Sequence, residues 1–450
     1  MAVVKKVKKI LAAFACGTLA QQGYAVGFLE DSKASINSRT LYYDGDQRST
    51  DGVDQRQTLT GLRLDFQSGY TQGAVGLGLD LQGLAGFTLS GGSSPHNAST
   101  VNTVSPVKTD GSPVDNWSRI GGNARFKYSK TEVKAGNALT FNLPVLISND
   151  GRLLPASFQG AALTSSEFEN ITLNGGFLNR AIGRASSNWA GISGGGSKGS
   201  DGFTFAGGDW NVRKNLKLQY YHAHLDDYYS QNFFGLIHSF DMGIGQSLTT
   251  DLRYFKSDSD GKNGTDSRYA MRTGYNENGK IDNTTWSLAF TYKAGGHALT
   301  LGHQQVSDKS GFANVNSSNV IDGRGRPEGE GGVQSLYLYT DVMVNSFIRA
   351  GENSTFGIYS YDFAAVGVPG LKAGWTYVSG KDIRGTGNTT TGRYSEWESD
   401  YRLDYAVQSG TFKGIGFSLR KGIFRTDLPA STLKDQNQVR LFVNYTYALW

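Results

Sequence analysis

The sequence predicts an all-β fold: a transmembrane antiparallel β-barrel of eighteen strands, with short periplasmic turns, long extracellular loops and an inward-folded third loop. Three observations predict it. The chain of 450 residues holds 60 glycines, 23 tyrosines and 24 phenylalanines but only 8 prolines, unlike a soluble domain and suited to aromatic girdles at two membrane interfaces. After residue 25 no stretch has the roughly 20 consecutive apolar residues of a membrane-spanning helix, whereas many segments alternate with period two. Short turns and longer loops also alternate along the chain, as threading a barrel through a bilayer requires. A large β-solenoid or adhesin shares this composition, so the count of connections has to decide.

Taken in order, Met1–Ala25 reads as a secretory signal, which leaves 26–450 as a single barrel domain. Lys5, Lys6, Lys8 and Lys9 form a basic head, Ile10–Ala20 is an apolar run too short to span, and Gly23-Tyr24-Ala25 offers a small-x-small cleavage site. Removing those four lysines takes the formal charge from +5 to about +1, so the basicity belongs to targeting and does not argue for nucleic acid. The one cysteine, Cys16, lies in the same segment, so the remainder has neither a disulfide framework nor a thiolate metal site.

Eight short turns are expected at 68–73, 128–130, 165–170, 212–215, 242–246, 294–297, 366–370 and 408–414. Nine longer connections are expected near 44–56, 90–117, 137–156, 180–200, 226–231, 256–282, 306–353, 381–395 and 426–437. Together they imply eighteen strands with both termini on the periplasmic side. Ser335–Phe347 alternates like a strand but falls inside the 306–353 loop in this scheme. Alternation is clearest where Val75, Leu77, Leu79 and Leu81 oppose Gly76, Gly78, Asp80 and Gln82, and where Trp286, Leu288, Phe290 and Tyr292 oppose Thr285, Ser287, Ala289 and Thr291. The last strand sets Leu441, Val443, Tyr445 and Tyr447 against Arg440, Asn444 and Thr446. It ends at Trp450, out of phase with its apolar face; a terminal aromatic strand is the feature that barrel-assembly machinery reads.

Ser118–Glu169 organises the chain. Asn123–Tyr128 and Thr131–Ala135 alternate, with Arg125, Lys127 and Lys134 on the polar, lumen-facing side. The period then lapses through Pro144, Asp150, Gly151, Arg152 and Pro155 before a strand-like Phe158–Leu163. A long loop between short hairpin strands tends to be functional. We read 137–156 as folding into the barrel and narrowing it, with Asp150 and Arg152 in the constriction.

Several stretches resemble the OprD-type porins, the outer-membrane carboxylate channels: GFLEDSKASINSR (27–39), QSGYTQGAVGLGLD (67–80), SRIGGNARFKYSKTEVKAGN (118–137), GRLLPASFQG (151–160), LTSSEFENITLNGG (163–176), SYDFAAVGVPGL (360–371) and DQNQVRLFVNY (435–445). The resemblance spans residue 27 to the C-terminus. It implies a Gram-negative outer-membrane location, an eighteen-stranded barrel, an inward third loop and a ladder of bases guiding small carboxylate solutes such as amino, organic or aromatic acids. With the apolar alternate of each strand facing lipid, Lys372, Arg402, Arg420, Arg440, Arg39 and Arg63 face the lumen on strands fifteen to eighteen, one and two. Closing the barrel makes those strands contiguous. A polar lumen does not need six cations in a row, and like charges repel unless anions or acids compensate. The competing reading is that Asp65, Asp404 or Glu396 neutralises each base. Thr376 and Ser418 stand where the family often has arginine. Asp150 and Asp308, if they faced the ladder, would favour solutes that also carry an amine.

Other chemistry is thinly represented. His222 and His224 share a strand face, which suits a metal less well than a rim girdle beside Tyr220 and Tyr221. Asp258, Asp260, Asn263 and Asp266 resemble a calcium loop, but Lys262 takes a ligand position. Glycine-rich 194–202 and 323–332 sit between no strand and helix, so no phosphate loop is expected, and no G-x-S-x-G occurs. We therefore expect no catalysis, metal or cofactor. Expected partners are the solutes, outer-membrane lipid and lipopolysaccharide, and the assembly machinery, with the chain a monomer or loose trimer. A barrel enzyme of lipase or protease type and a plugged adhesive barrel are the alternatives.

Overall fold

The computed structural model describes residues 27–48, 54–91, 104–108, 112–271, 279–317, 332–385, 392–429 and 433–450. The expected signal, Met1–Ala25, and the glycine-rich 323–331 lie outside them. The wall begins with β1 (Lys33–Gln47), β2 (Gln55–Gln67), β3 (Gly76–Gly91), β4 (Asn116–Tyr128), β5 (Thr131–Leu139), β6 (Ser157–Ser165), β7 (Ile171–Ile182), β8 (Phe203–Arg213) and β9 (Leu216–Leu225). It continues with β10 (Tyr229–Gly243), β11 (Gln246–Ser259), β12 (Asp282–Ala294), β13 (His297–Val306), β14 (Asn353–Asp362), β15 (Leu371–Arg384), β16 (Arg393–Ala406), β17 (Gly416–Thr426) and β18 (Gln436–Ala448). Neighbours pair antiparallel in chain order. β1 pairs with β18 from Ser35↔Ala448 to Gln47↔Gln436, which closes the barrel and leaves no edge.

Why these residues form these strands follows from the two environments. Leu77, Leu81, Phe290, Leu301, Tyr401, Leu441 and Tyr445 are exposed on the outer wall, where the bilayer covers them. Asn283, Thr285, Ser287 and Ala289 on the opposite face of β12 are buried inside the barrel. The eight short turns fall where expected. Between β12 and β13 only Gly295-Gly296 turns the chain, and Gly295 takes φ +56, a left-handed conformation that its lack of a Cβ permits.

One expectation is corrected. The connection near 226–231 is not long: Leu225 pairs directly with Tyr229, and the turn is made by Asp226–Tyr228 with Asp227 at φ +66. Ser335–Phe347 stays within the long connection, as expected, and builds no wall in spite of its alternation. Only Gln334–Ser335 pairs, with Leu146–Ser148 of the third loop, in a three-stranded sheet completed by Asn142–Leu143. Trp450 is out of phase as expected: its indole N–H donates to Ser32 Oγ at 3.1 Å, and it lines the vestibule at the periplasmic end.

Arginine tests the two faces. Leu288→Arg, on the lipid face, should cost about 2–4 kcal/mol if it lies near the bilayer midplane. Thr376→Arg, on the lumen face, should leave stability nearly unchanged. Urea unfolding in lipid vesicles reads both, and equal penalties would refute the assigned alternation.

Candidate functional site: the narrowed lumen

The third loop, 140–156, folds inward and is held on all sides. Val145, Leu146, Leu153, Leu154 and Ala156 are buried. Arg119 on β4 donates to the Gly183 carbonyl at 3.0 Å and to the Pro155 carbonyl, which tethers the end of the loop. On β2, Gly61 is required by close approach: a Cβ there would lie 3.0 Å from Leu153 Cγ and 3.1 Å from Leu154 Cδ2. Arg39 on β1 reaches across, donating to Asp150 Oδ1 at 2.7 Å and to the Arg152 carbonyl at 2.8 Å.

A second segment, missed by sequence reasoning, also enters the lumen: Val333–Glu352 from the β13–β14 connection. Arg253 on β11 lies between the rings of Tyr337 (3.9 Å) and Tyr339 (4.2 Å). Asp251 takes the Arg253 guanidinium at 2.7 Å and the Tyr339 hydroxyl at 2.9 Å. Phe347 is buried against Phe356, Val378 and Phe424, and its carbonyl accepts from Gln304 at 3.0 Å. The unrecognised signal was Glu396, Glu398 and Asp400 on the inward alternate of β16, the face that bears Arg402 and Asp404 (EWESDYRLD).

Between these segments and the wall lies a cavity of about 830 Å³ lined by Arg152, Arg184, Lys372, Arg402, Arg420 and Arg440 together with Asp341, Asp400 and Asp404. Arg184, from the β7–β8 connection, was not foreseen; it donates to Asn149 Oδ1 at 3.2 Å. A vestibule of about 870 Å³ opens toward the periplasmic strand ends, lined by Lys33, Arg63, Asp65, Asp80, Glu132 and Lys134. Arg39 and Arg63 line a smaller space of about 160 Å³ against the third-loop residues Asp150 and Leu153.

The six bases are placed on contiguous strands as expected, but their surroundings differ. Register sets Arg402 opposite Arg420, and Arg420 opposite Arg440, so three guanidinium side chains start from directly paired positions. Such a row runs perpendicular to the strands, and strand tilt inclines it to the membrane plane, so successive bases sit at successive depths. Lys372 pairs with Asp362 at 2.9 Å, Arg402 with Asp404 at 2.5 Å and Arg63 with Asp65 at 2.7 Å. Partly exposed pairs of this kind are worth about 0–1 kcal/mol and hold neither partner tightly. Among the described residues, Arg420 and Arg440 have no carboxylate within ion-pair distance. Arg420 Nε donates to Ser418 Oγ at 3.0 Å and its guanidinium lies 4.8 Å from the Phe442 ring centroid. Arg440 is buried, donating to Gln438 Oε1 and to the Met343 carbonyl.

Neutralisation therefore accounts for some bases and not others. Arg152 is buried with its guanidinium 5.3 Å from the Tyr43 ring centroid. Arg125 is buried too, bound to Asp80 at 3.0 Å and to the Tyr70 ring face, so it braces the wall and does not front the lumen. Lys134 lies between Asp80 (3.5 Å) and Glu132 (3.4 Å), and Lys127 is exposed over the Tyr70 ring. Neither acid suspected of facing the ladder does so freely. Asp150 is taken by Arg39, and Asp308 sits at the extracellular rim, where its bond to Arg393 at 2.7 Å holds its carboxyl below the usual range. His222 and His224 do not converge: His222 meets Asn232, while His224 lies between Asp226 and Asp260.

A closed wall around a polar lumen narrowed by inward segments defines a channel of the porin class. The chain belongs to the OprD family: the model for "outer membrane porin, OprD family" matches residues 26–449. It is 31% identical to Porin D of Pseudomonas aeruginosa over 96% of this chain and 94% of that protein. Its fold matches the crystal structure of Pseudomonas aeruginosa OccK8 (OprE) at TM-score 0.81 and 40% identity, over 94% of this chain and all of the other. That of Pseudomonas aeruginosa OpdK with vanillate matches at TM-score 0.79 and 32% identity, with the same coverage. The protein is thus a porin of the Gram-negative outer membrane through which small solutes pass.

If the third loop sets the bore, deleting Leu143–Leu154 should raise single-channel conductance substantially while the barrel keeps its heat-modifiable mobility on gels. Unchanged conductance would remove this loop from the pore.

Proposed function

We propose that the protein takes up small carboxylate-containing solutes passively, using the row Lys372, Arg402, Arg420, Arg440, Arg39 and Arg63 to compensate lost hydration. The observation that carries this reading is the cross-strand register Arg402–Arg420–Arg440. Like charges directly opposite each other are destabilising, and a purely structural wall gains nothing from them. A passing carboxylate relieves that repulsion at one site after another without being held too tightly at any, as conduction requires. The relative solved with vanillate, an aromatic carboxylate, supports the same solute chemistry. The bases do not contribute equally: Arg39 and Arg440 also hold inward segments, whereas Arg402 and Arg420 border open lumen. Residues 1–25 would act as the export signal.

Uptake of matched acid and amide solutes into liposomes tests the proposal. Arg420→Gln should slow the acid several-fold, most strongly at low salt where screening is weakest, and leave the amide and a neutral sugar of similar size nearly unaffected. If an Arg402→Gln/Arg420→Gln variant treats acid and amide as the parent does, the basic row is structural and the selectivity is wrong.

A further inference from the structure

The inner face of β16 carries carboxylates in a line, Glu396, Glu398 and Asp400, directly above Arg402. Beside a row of cations, such a line invites the interpretation that it takes the ammonium group of an amino-acid solute. The hydrogen bonds say otherwise. Glu398 Oε1 accepts from the Val344 amide at 2.6 Å and Oε2 from the Asn345 amide at 2.9 Å. Asp400 Oδ2 accepts from the Met343 amide at 3.0 Å, and Glu396 Oε1 accepts from the Asn345 side chain. Glu396 Oε2 lies 3.8 Å from Arg349 Nε of the same segment. Both glutamates are 1% exposed, so a hydrated ammonium group cannot reach them.

Three consecutive backbone N–H groups pointing one way form a nest that attracts an anion. Here the wall supplies the anion. The carbonyl at the head of the same turn, that of Met343, accepts from Arg440 on β18. Between β16 and β18, the turn lies against Gly422 of β17: a Cβ there would be 3.0 Å from Val344 Cγ2 and 3.3 Å from Met343 Sδ. The segment is thereby pressed flat onto three adjacent strands, two residues along β17 from Arg420.

We propose that Glu398 and Asp400, supported by Glu396, are positioning residues that fasten Met343–Asn345 to the wall and so set the pore width, and that the two glutamates do not bind solute. This rests on the protein being a conducting channel. Glutamine in place of Glu398 offers only one acceptor to two amide donors and turns an NH₂ group toward one of them, so the nest loses its anion. The segment then lifts into the lumen or swings clear, and either movement changes the size limit.

The test uses neutral sugars of increasing size in liposome swelling, because charge changes do not affect them directly. Glu398→Gln and Glu398→Gln/Asp400→Asn should shift the size dependence of uptake several-fold, with the barrel still heat-modifiable. A Val344→Cys/Gly422→Cys pair tethers the segment; the distances at Gly422 suit a disulfide, with Asp400 Oδ1, 2.8 Å from the new Cβ, turning aside. In the parent background the oxidised tether should form and leave the size dependence unaltered, because the covalent link holds the turn to β17 in place of the displaced Asp400. In Glu398→Gln it should restore the parental pattern, and reductant should abolish the restoration. The proposal is overturned if the variants keep the parental size dependence, if the tether fails to form in the parent, or if only amine-bearing solutes slow down. A parent protein that passes no sugar and conducts no ions would instead overturn the channel reading itself.

Discussion

Everything in this structure depends on the pairing of β1 with β18. In hydrocarbon a strand edge has no water to satisfy its N–H and C=O groups, and each orphan costs several kcal/mol by rough estimate. The first and last strands, far apart in sequence, must therefore meet along nearly their full length, from Ser35↔Ala448 to Gln47↔Gln436. That seam also brings Arg440 and Arg39 onto neighbouring strands. The requirement to have no edge thus makes the cations of the two chain ends one continuous face.

Closure leaves a second problem, because a ring of eighteen strands encloses more space than its own side chains fill. Two connections solve it together. Leu146–Ser148 pairs with Gln334–Ser335, so the third loop and Val333–Glu352 support each other inside the barrel. Each is then fastened outward by charge: Arg39 to Asp150, Arg119 to Pro155 and Gly183, Arg253 to the tyrosine pair, and the β16 acids to Met343–Asn345. Much of the charge in the lumen is spent on holding these segments, which leaves only part of it facing the open path.

The wall was legible because the bilayer imposes a period of two on every strand, and turns interrupt it. Strand number, seam and the strand on which each base lies all follow from that periodicity and its interruptions. Ser335–Phe347 shows its limit. Its alternation is genuine, with Leu336 and Leu338 buried, but it is itself an internal segment packed inside the barrel, and periodicity does not say what covers a face. Nor could the sequence divide the bases by role. Arg39 and Arg63 look alike in their strands, yet one clamps the third loop and the other pairs two residues along its own strand with Asp65. That difference arises from contacts more than a hundred residues apart in the chain. Glu396, Glu398 and Asp400 were visible as an inward acidic run, but only the placement of Met343–Asn345 explains them.

The row Arg402–Arg420–Arg440 shows how uneven compensation serves passage in the proposed reading. Were each guanidinium paired with a buried carboxylate, the wall would be stable and indifferent to anions. Were none compensated, repulsion between paired positions would strain the strands, and a carboxylate would be trapped where it first bound. The structure lies between these limits. Arg402 has a partly exposed Asp404 and Arg440 has neutral oxygens from Gln438 and Met343, whereas among the described residues Arg420 has only the Ser418 hydroxyl and the Phe442 ring. Neutral acceptors reduce the cost of the charge without cancelling its field. The least compensated cation lies between two partly compensated neighbours, so an anion attracted to the middle of the row finds weaker partners on either side to which it can move.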